Sequence, residues 1–496
     1  MAVARMNGGK APDIVVLGGG SAGWITAALL HHAWADKGAS VTLVESPAIG
    51  IIGVGEGSTP QLKAFFDLLG IDEAEWMPAC DATYKLGIRF SGWSARPGFE
   101  SYFHPFPGPT DLHTQPAFEQ ACAAQRRGYE AGAHPDRWFL ATRLADEAKA
   151  PQAGDNFPFA PSYGYHFDAH KLGAFLREWC VSRGVVHREA QVADVEVAAG
   201  EVQALVCEDG ARIGGDLFVD CSGFRAVIAE ALGSEFQSYG ENLFADRAVV
   251  MPTPRDGTRI MPATGAIAMR AGWRWSIPLT GRTGNGYVYS SAHISDDEAA
   301  AGLARECGGD AEPRLLRMRV GRMRESWRGN CLVAGLSQGF IEPLEATALH
   351  IVIHTALEFI QAHEQGGFTA RHRDAFNASI GERYDGIRDY IVAHYRLNRR
   401  DGDYWRANAA NDAISDRLKA MMTAWFTHRD IAAANRELYP KEYYSSASWH
   451  CLFAGYGSFP PPEKMQPLPA DASLADPARI DAMLAACARN FGEYAP

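Results

Sequence analysis

Residues 13–46, DIVVLGGGSAGWITAALLHHAWADKGASVTLVES, leave the front of this chain little choice of fold. The apolar run 14–17 reads as a buried strand, the glycines as a turn, Ser21 to about Ala35 as a helix, and Ser40–Glu45 as a second strand. A strand–helix–strand unit of this kind makes a parallel sheet, and such sheets are covered on both faces, so the class is α/β. Gly18, Gly20 and Gly23 have G-x-G-x-x-G spacing. The first glycine permits the tight turn, the second lets backbone approach a pyrophosphate, and the third brings helix against strand. Glu45 ends the second strand, where an acid binds a ribose hydroxyl. The unit therefore predicts a dinucleotide, FAD or NAD. A later buried strand, DLFVDCSGF at 216–224, is common in FAD folds and favours flavin.

The remaining length accommodates more than this unit. The chain has 496 residues, enough for two or three units or one α/β body with insertions. Residues 1–365 read as the FAD-binding module, with substrate-pocket segments inserted at about 91–165. Residues 366–496 read as a mostly helical substrate-side region. A strand is expected at 83–90, loops at 91–116 and 151–162, and helices at about 116–127, 136–149 and 168–183. A meander is expected over 192–223, strands at 265–279, 286–292 and 330–336, and a long helix at about 345–364. Helices at 369–398, 411–426, 428–437 and 475–490 complete the pattern. Thr59-Pro60 offers a cap and first residue for one more helix. A net charge of −12 argues against a nucleic-acid partner. No run of 18 apolar residues predicts a membrane span. Nine cysteines without a C-x-x-C pair, and a start lacking an apolar leader, predict reduced thiols and a cytoplasmic location.

Several segments carry chemistry. GLSQG at 335–339 has the spacing of a hydrolase nucleophile elbow, but Phe340-Ile341-Glu342-Pro343 keep the helix from starting after the serine. His350/His354 and His166/His170 stand four apart with no third metal ligand in view, so core and surface histidines are expected rather than a metal site. Pro343 pre-sets a helix whose first turn is read as Glu345-Ala346-Thr347-Ala348. Unsatisfied N–H groups at a buried helix start favour a small anion, although Glu345 or Thr347 could equally be a cap. Lys85 lies in TYKLGIRF, where strand alternation puts Tyr84, Leu86 and Ile88 on one face and Lys85, Gly87 and Arg89 on the other. A strand lysine is ordinarily solvated; a buried one would have a lowered pKa suited to amine chemistry. In AGWRWSIPL, Trp273 and Trp275 face the same side and form an aromatic wall.

Together these segments resemble the flavin-dependent tryptophan halogenase family over nearly the whole chain. The resemblance is carried by GGGSAGW at 18–24, by GVGEGSTPQLKAFFDLLGI leading to EWMPACDATYKLGIRF at 53–90, by the W-x-W-x-I-P of Trp273, Trp275, Ile277 and Pro278, and by GLSQGFIEPLEATAL at 335–349. HPF at 104–106 matches the family's substrate loop.

The resemblance implies a Rossmann-like, flavin monooxygenase-type FAD fold with an added β-sheet. It implies that reduced FAD and oxygen give a flavin hydroperoxide, which chloride or bromide attacks to make hypohalous acid. That oxidant crosses a passage to a substrate kept apart from the flavin. Lys85 matches the lysine that binds or carries the electrophilic halogen. Glu345 matches the glutamate that hydrogen-bonds there or takes the ring proton. Flavin contacts are expected at Gly18, Gly20, Ser21, Ala22, Gly23, Glu45, Gly53, Val54 and Leu336, and halide contacts at the backbone of Thr347 and Ala348. Trp273 and Trp275 form a flavin-side barrier, and His104, Phe106 and Trp449 hold the aromatic ring, with Tyr443 and Tyr444 as candidates to clamp the amino and carboxylate groups of a free tryptophan. An indole or tryptophan-like substrate is expected, with phenols open. No second nucleotide motif appears, so a separate reductase would supply reduced flavin without a stable complex; a homodimer is open. Many members have Glu-Ser-Thr-Gly where this chain has Glu345-Ala346-Thr347-Ala348; the lost serine hydroxyl removes a partner for Lys85, the lost glycine matters only if its position needs positive φ, and the backbone donors for halide survive both changes. An FAD-dependent aromatic hydroxylase and a flavin-binding protein without turnover are the competing readings.

Overall fold

The structure, a computed structural model, describes residues 12–48, 50, 53, 55–255, 257, 259–308, 311–469, 472 and 474–495. Its organising element is a six-stranded sheet. Strand Asp13–Leu17 lies between Ser40–Glu45 and Leu217–Asp220, parallel to both, with Ile14 opposite Val41 and Leu217. Val186–Glu189 extends the parallel set on one side and Cys331–Val333 on the other, where Trp327–Arg328 closes the edge antiparallel. Helices Ser21–Trp34 and Ala348–Gln365 pack on each other against the sheet. The second helix buries Leu349, Ile351, Val352, Ile353, Ala356, Phe359 and Ile360. At about 1.5–3 kcal/mol per fully buried large side chain, this stripe fixes which face the helix turns inward.

A seven-stranded sheet stands beside this unit. It contains the hairpin Thr264–Met269/Gly272–Pro278, then Arg282–Tyr289, and reaches Gly87–Ser91 and Ser101–Pro105 at its other end. The sequence suggested one strand over 265–279. The chain instead turns at Arg270-Ala271, and Gly272 has φ 151°, where a Cβ would lie 1.9 Å from the Val288 carbonyl oxygen. The expected strand 83–90 is likewise two strands, Thr83–Lys85 and Gly87–Ser91, in different sheets. Leu86 bridges them with its N–H bonded to Pro262 O at 2.7 Å.

Tertiary pairing overrides local composition elsewhere. The loop expected at 91–116 contains strand Ser101–Pro105, held by pairing with Gly87–Ser91. The loop expected from 151 is partly strand, because Lys149–Ala153 pairs with Phe491–Glu493 near the C-terminus. Helices Asp403–Ala410 and Ser446–Gly455 were not anticipated. The helix after Thr59-Pro60 starts at Gln61, with the Thr59 hydroxyl accepting from the Gln61 N–H at 3.4 Å. Position 365 marks a change in composition, but hydrophobic residues from both sides of it, from Ile14 to Phe491, share one cluster. All nine cysteines are free, and seven of them are buried. Among the described residues no helix is long and apolar enough to cross a membrane.

Candidate active site

The glycine turn is built for close approach. Gly18 has φ 116°, and a Cβ there would lie 2.2 Å from Cys221 O; one on Gly23 would lie 1.9 Å from Gly18 O. Gly20 has open space where its Cβ would be. It caps helix Ser21–Trp34, whose first N–H groups have no intrahelical acceptor. A pyrophosphate can therefore reach the backbone at Gly20 and the positive end of the helix. Ser21, Ala22, Glu45, Gly53 and Leu336 border the same space, a cavity of about 630 Å³. Glu45 is also engaged with His187 Nε2 at 2.7 Å. Val54 lies outside the described residues.

The cavity runs on from the glycines past Trp273 and Trp275 to Thr347, Ala348 and Lys85. Trp273 and Trp275 do share a face, with ring centroids 6.2 Å apart and planes at 57°. Opposite Trp275 stands Gly286, where a Cβ would fall 2.0 Å from the indole Cζ2. That glycine gives the ring its berth. The Trp273 N–H approaches Glu342 without full alignment. Glu342 itself accepts from Tyr395 Oη at 2.8 and 2.9 Å, and burial pushes its pKa up to about 8.

The helix expected to begin at about Glu345 begins at Ala348. Pro343–Glu345 form a single 3₁₀ turn, and Ala346 is left-handed at φ 55°, ψ 38°. This break sends the segment two ways. Thr347 and Ala348 line the cavity, and the first bond into the helix is Ile351 N–H to Thr347 O, so the amides of 348–350 have no intrahelical acceptor. Glu345 points away from that cavity. The positive φ falls on Ala346 and not on Ala348, which is ordinary helix, so alanine at position 348 costs no strain.

Lys85 is not solvated: its relative exposure is 0%, and Nζ has no hydrogen-bond partner. Burial pushes its pKa down from 10.5 to about 7, with the charge of Glu345 opposing. Phe106 covers it, with the ring centroid 5.5 Å from Nζ. Glu345 is buried as well. His104 Nδ1 lies 3.1 Å from Oε2, and His394 Nε2 lies 3.0 Å from Oε1. Burial alone would raise the Glu345 pKa; His104 and then His394 outweigh it and hold it down at about 2. His394 is fixed in turn by Tyr456 Oη at 3.0 Å and by stacking on Phe90. His104 faces Tyr390 at 5.9 Å, and Tyr390 stacks on Tyr444 at 3.6 Å. Trp449 meets Tyr390 from behind at 4.9 Å and is 1% exposed, so it stands one ring back from His104.

The arrangement thus has a buried amine facing a dinucleotide-sized cavity, with an ionised carboxylate held by two imidazoles near it. His394 and Tyr390 carry no local signal in the sequence, because each is a lone histidine or tyrosine inside the helix Arg373–Leu397; Glu342 shows there only as the residue before Pro343, with nothing to mark its burial. Ser337 is no nucleophile: its hydroxyl donates to Asp220 Oδ1 or Gly223 O, both 3.0 Å away in the interior. His166 and His350 are each engaged with threonine hydroxyls.

The sequence profile of the tryptophan halogenase family matches residues 13–473. The chain belongs to the tryptophan halogenase family. It is 38% identical over 485 residues to the 7-chloro-L-tryptophan 6-halogenase KtzR of Kutzneria sp. (strain 744), spanning 90% of this chain and 91% of that one. The tryptophan 7-halogenase RebH of Lentzea aerocolonigenes is 34% identical, with 91% of each chain covered. The crystal structure of the tryptophan 6-halogenase SttH from Streptomyces toxytricini superposes with a TM-score of 0.80 at 34% identity, covering 96% of each chain. This protein is therefore a flavin-dependent halogenase, with FAD as cofactor, halide as co-substrate and a small aromatic substrate. The halogenase keeps Lys85 and the paired tryptophans on one cavity, with Glu345 turned away from it toward His104 and His394.

Proposed function

We propose that this halogenase transfers chlorine or bromine to an electron-rich arene of the indole class, with Lys85 and Glu345 as its catalytic residues. The observation that carries the reading is the placement of Lys85, which is fully buried, has a lowered pKa, and lies on the same cavity as the glycine turn. Bound flavin, reduced by a separate reductase, supplies the oxygen activation that converts halide to hypohalous acid. The protein's own residues do the rest. Gly18, Gly20, Ser21, Ala22 and Gly23 seat the pyrophosphate, Glu45 the ribose, and Gly53 and Leu336 border the flavin. The amides of Thr347 and Ala348 hold the halide at the positive end of a helix. Trp273 and Trp275 present two stiff indoles that keep a bulky arene out of the flavin chamber. An oxidant the size of hypohalous acid travels to Lys85, whose neutral amine binds or carries the electrophilic halogen. On the far side His104 and Phe106 hold the ring, with Trp449 buttressing through Tyr390. Glu345, ionised at every working pH, takes the proton that leaves the halogenated carbon. Orientation in the pocket then selects the ring position.

The test is direct. With reduced FAD, oxygen and bromide, indole and tryptophan should each be screened by mass spectrometry. A monobrominated indole-class product is expected. A hydroxylated product instead, or turnover of flavin with neither, would end this reading.

A further inference from the structure

Behind Lys85 lies a buried polar chain that the reaction as described does not use. Thr83–Lys85 pairs antiparallel with Gly164–Phe167, which sets Thr83 directly opposite His166. The Thr83 hydroxyl lies 2.6 Å from Pro278 O, the last residue of W-x-W-x-I-P. A carbonyl only accepts, so the single hydroxyl hydrogen of Thr83 is committed there. His166 Nδ1, 3.1 Å from the same oxygen, must then donate to it. His166 Nε2 is left as an acceptor, and it lies 2.9 Å from Thr264 Oγ1. Thr264 therefore donates its own hydrogen to His166. Thr83 and His166 are fully buried, so no water competes for these bonds.

Thr264 is thus an acceptor only on its remaining side, and that side borders the cavity next to Lys85. A Cβ placed on Gly57 would lie 3.1 Å from Lys85 Nζ, 3.3 Å from Thr264 Oγ1 and 3.5 Å from His166 Cδ2. All three groups crowd the same bare backbone, which the absence of a side chain at Gly57 permits. The titratable groups facing Lys85 are His166, which burial and then Lys85 itself keep neutral, and Glu345, with His104 and His394 behind it.

We propose that Thr264 and His166 are positioning residues for Lys85. His166 consumes the Thr264 hydrogen, so Thr264 Oγ1 draws an N–H of Lys85 toward Gly57 through one bridging O–H. That tether opposes collapse of the amine onto the Glu345 carboxylate and leaves the nitrogen lone pair open to the cavity. The role assigned to the lone pair rests on the halogen-transfer reading above; the tether itself does not.

Thr264→Val keeps the shape and removes the acceptor, and Thr264→Ser restores it. In flavin-free protein, trace acetylation of Lys85 with acetic anhydride, read by peptide mass spectrometry from pH 5 to 9, reports the titration of this amine. Thr264→Val should lower its half-point by about one pH unit, because the ammonium loses a polar neighbour; Thr264→Ser should match the parent. With reduced FAD, bromide and indole, Thr264→Val should release hypohalite at the parent rate but give at least tenfold less brominated arene per oxidant formed, and Thr264→Ser should recover the parent yield. An unshifted or raised acetylation half-point in Thr264→Val would overturn the tether. Unchanged coupling would overturn its part in catalysis. The acetylation result stands whether or not the parent protein brominates indole, so the two readings fail separately.

Discussion

Replacing Lys85 by methionine should make this protein more stable and inactive at once. The side chain is fully buried, and its pKa falls from 10.5 to about 7. In the unfolded chain the amine is protonated up to its ordinary pKa; in the folded chain it must shed the proton or hold it in a poor environment. At about 1.4 kcal/mol per factor of ten in proton affinity, this costs about 4 kcal/mol of stability at pH 7. The sign follows from proton counts. Between pH 7 and 10.5 the unfolded chain binds more protons, so parent stability rises with pH, and the deficit shrinks to about 1.5 kcal/mol at pH 9.5. Methionine has similar length and no charge, so Lys85→Met should show no such slope. Urea denaturation of the flavin-free proteins at both pH values measures it. The variant should gain about 4 kcal/mol at pH 7 and much less at pH 9.5, while releasing hypohalite without halogenated arene. An equal difference at both pH values, or a destabilised variant, would refute the claim that this amine is held in the fold against its charge.

Three further perturbations test the rest of the site. Glu345→Gln removes the charge between His104 and His394 and should cut arene halogenation about 10²-fold with flavin turnover intact; since Glu345 stays ionised down to about pH 2, it is not the source of an acid limb near pH 7, where Lys85 and Glu56 on the same cavity titrate, and that limb should survive in any residual activity. Glu342 is neutral below about pH 8, so halide affinity of the parent, measured by flavin-dependent hypohalite formation against bromide concentration, should weaken above pH 8 as a carboxylate appears on the halide's cavity, and Glu342→Gln should abolish that weakening. Gly286→Ala puts a methyl 2.0 Å from Trp275 and should displace the indole, costing about 1–3 kcal/mol in thermal or urea unfolding and raising the peroxide leaked per flavin oxidised.

What the sequence determined by itself was the strand–turn–helix unit at the front of the molecule and the family that its motifs resemble. Strand, turn and helix around Gly18–Gly23 are local necessities: the glycine spacing, the apolar run and the following helix specify one another within 34 residues. The shared face of Trp273 and Trp275 follows from strand periodicity alone. The reach of Lys85 does not. Strand alternation assigns it a face but cannot say what covers that face, and here Phe106, Thr264, His166 and Glu345 arrive from four separate segments. The segment after Pro343 shows the same division. Its apolar pattern announces a buried helix, yet only packing places the left-handed turn at Ala346 that aims Glu345 at two histidines and leaves Thr347 and Ala348 on the cavity. Burial and long-range contact set the charge states of both groups, and neither quantity is a property of neighbours along the chain.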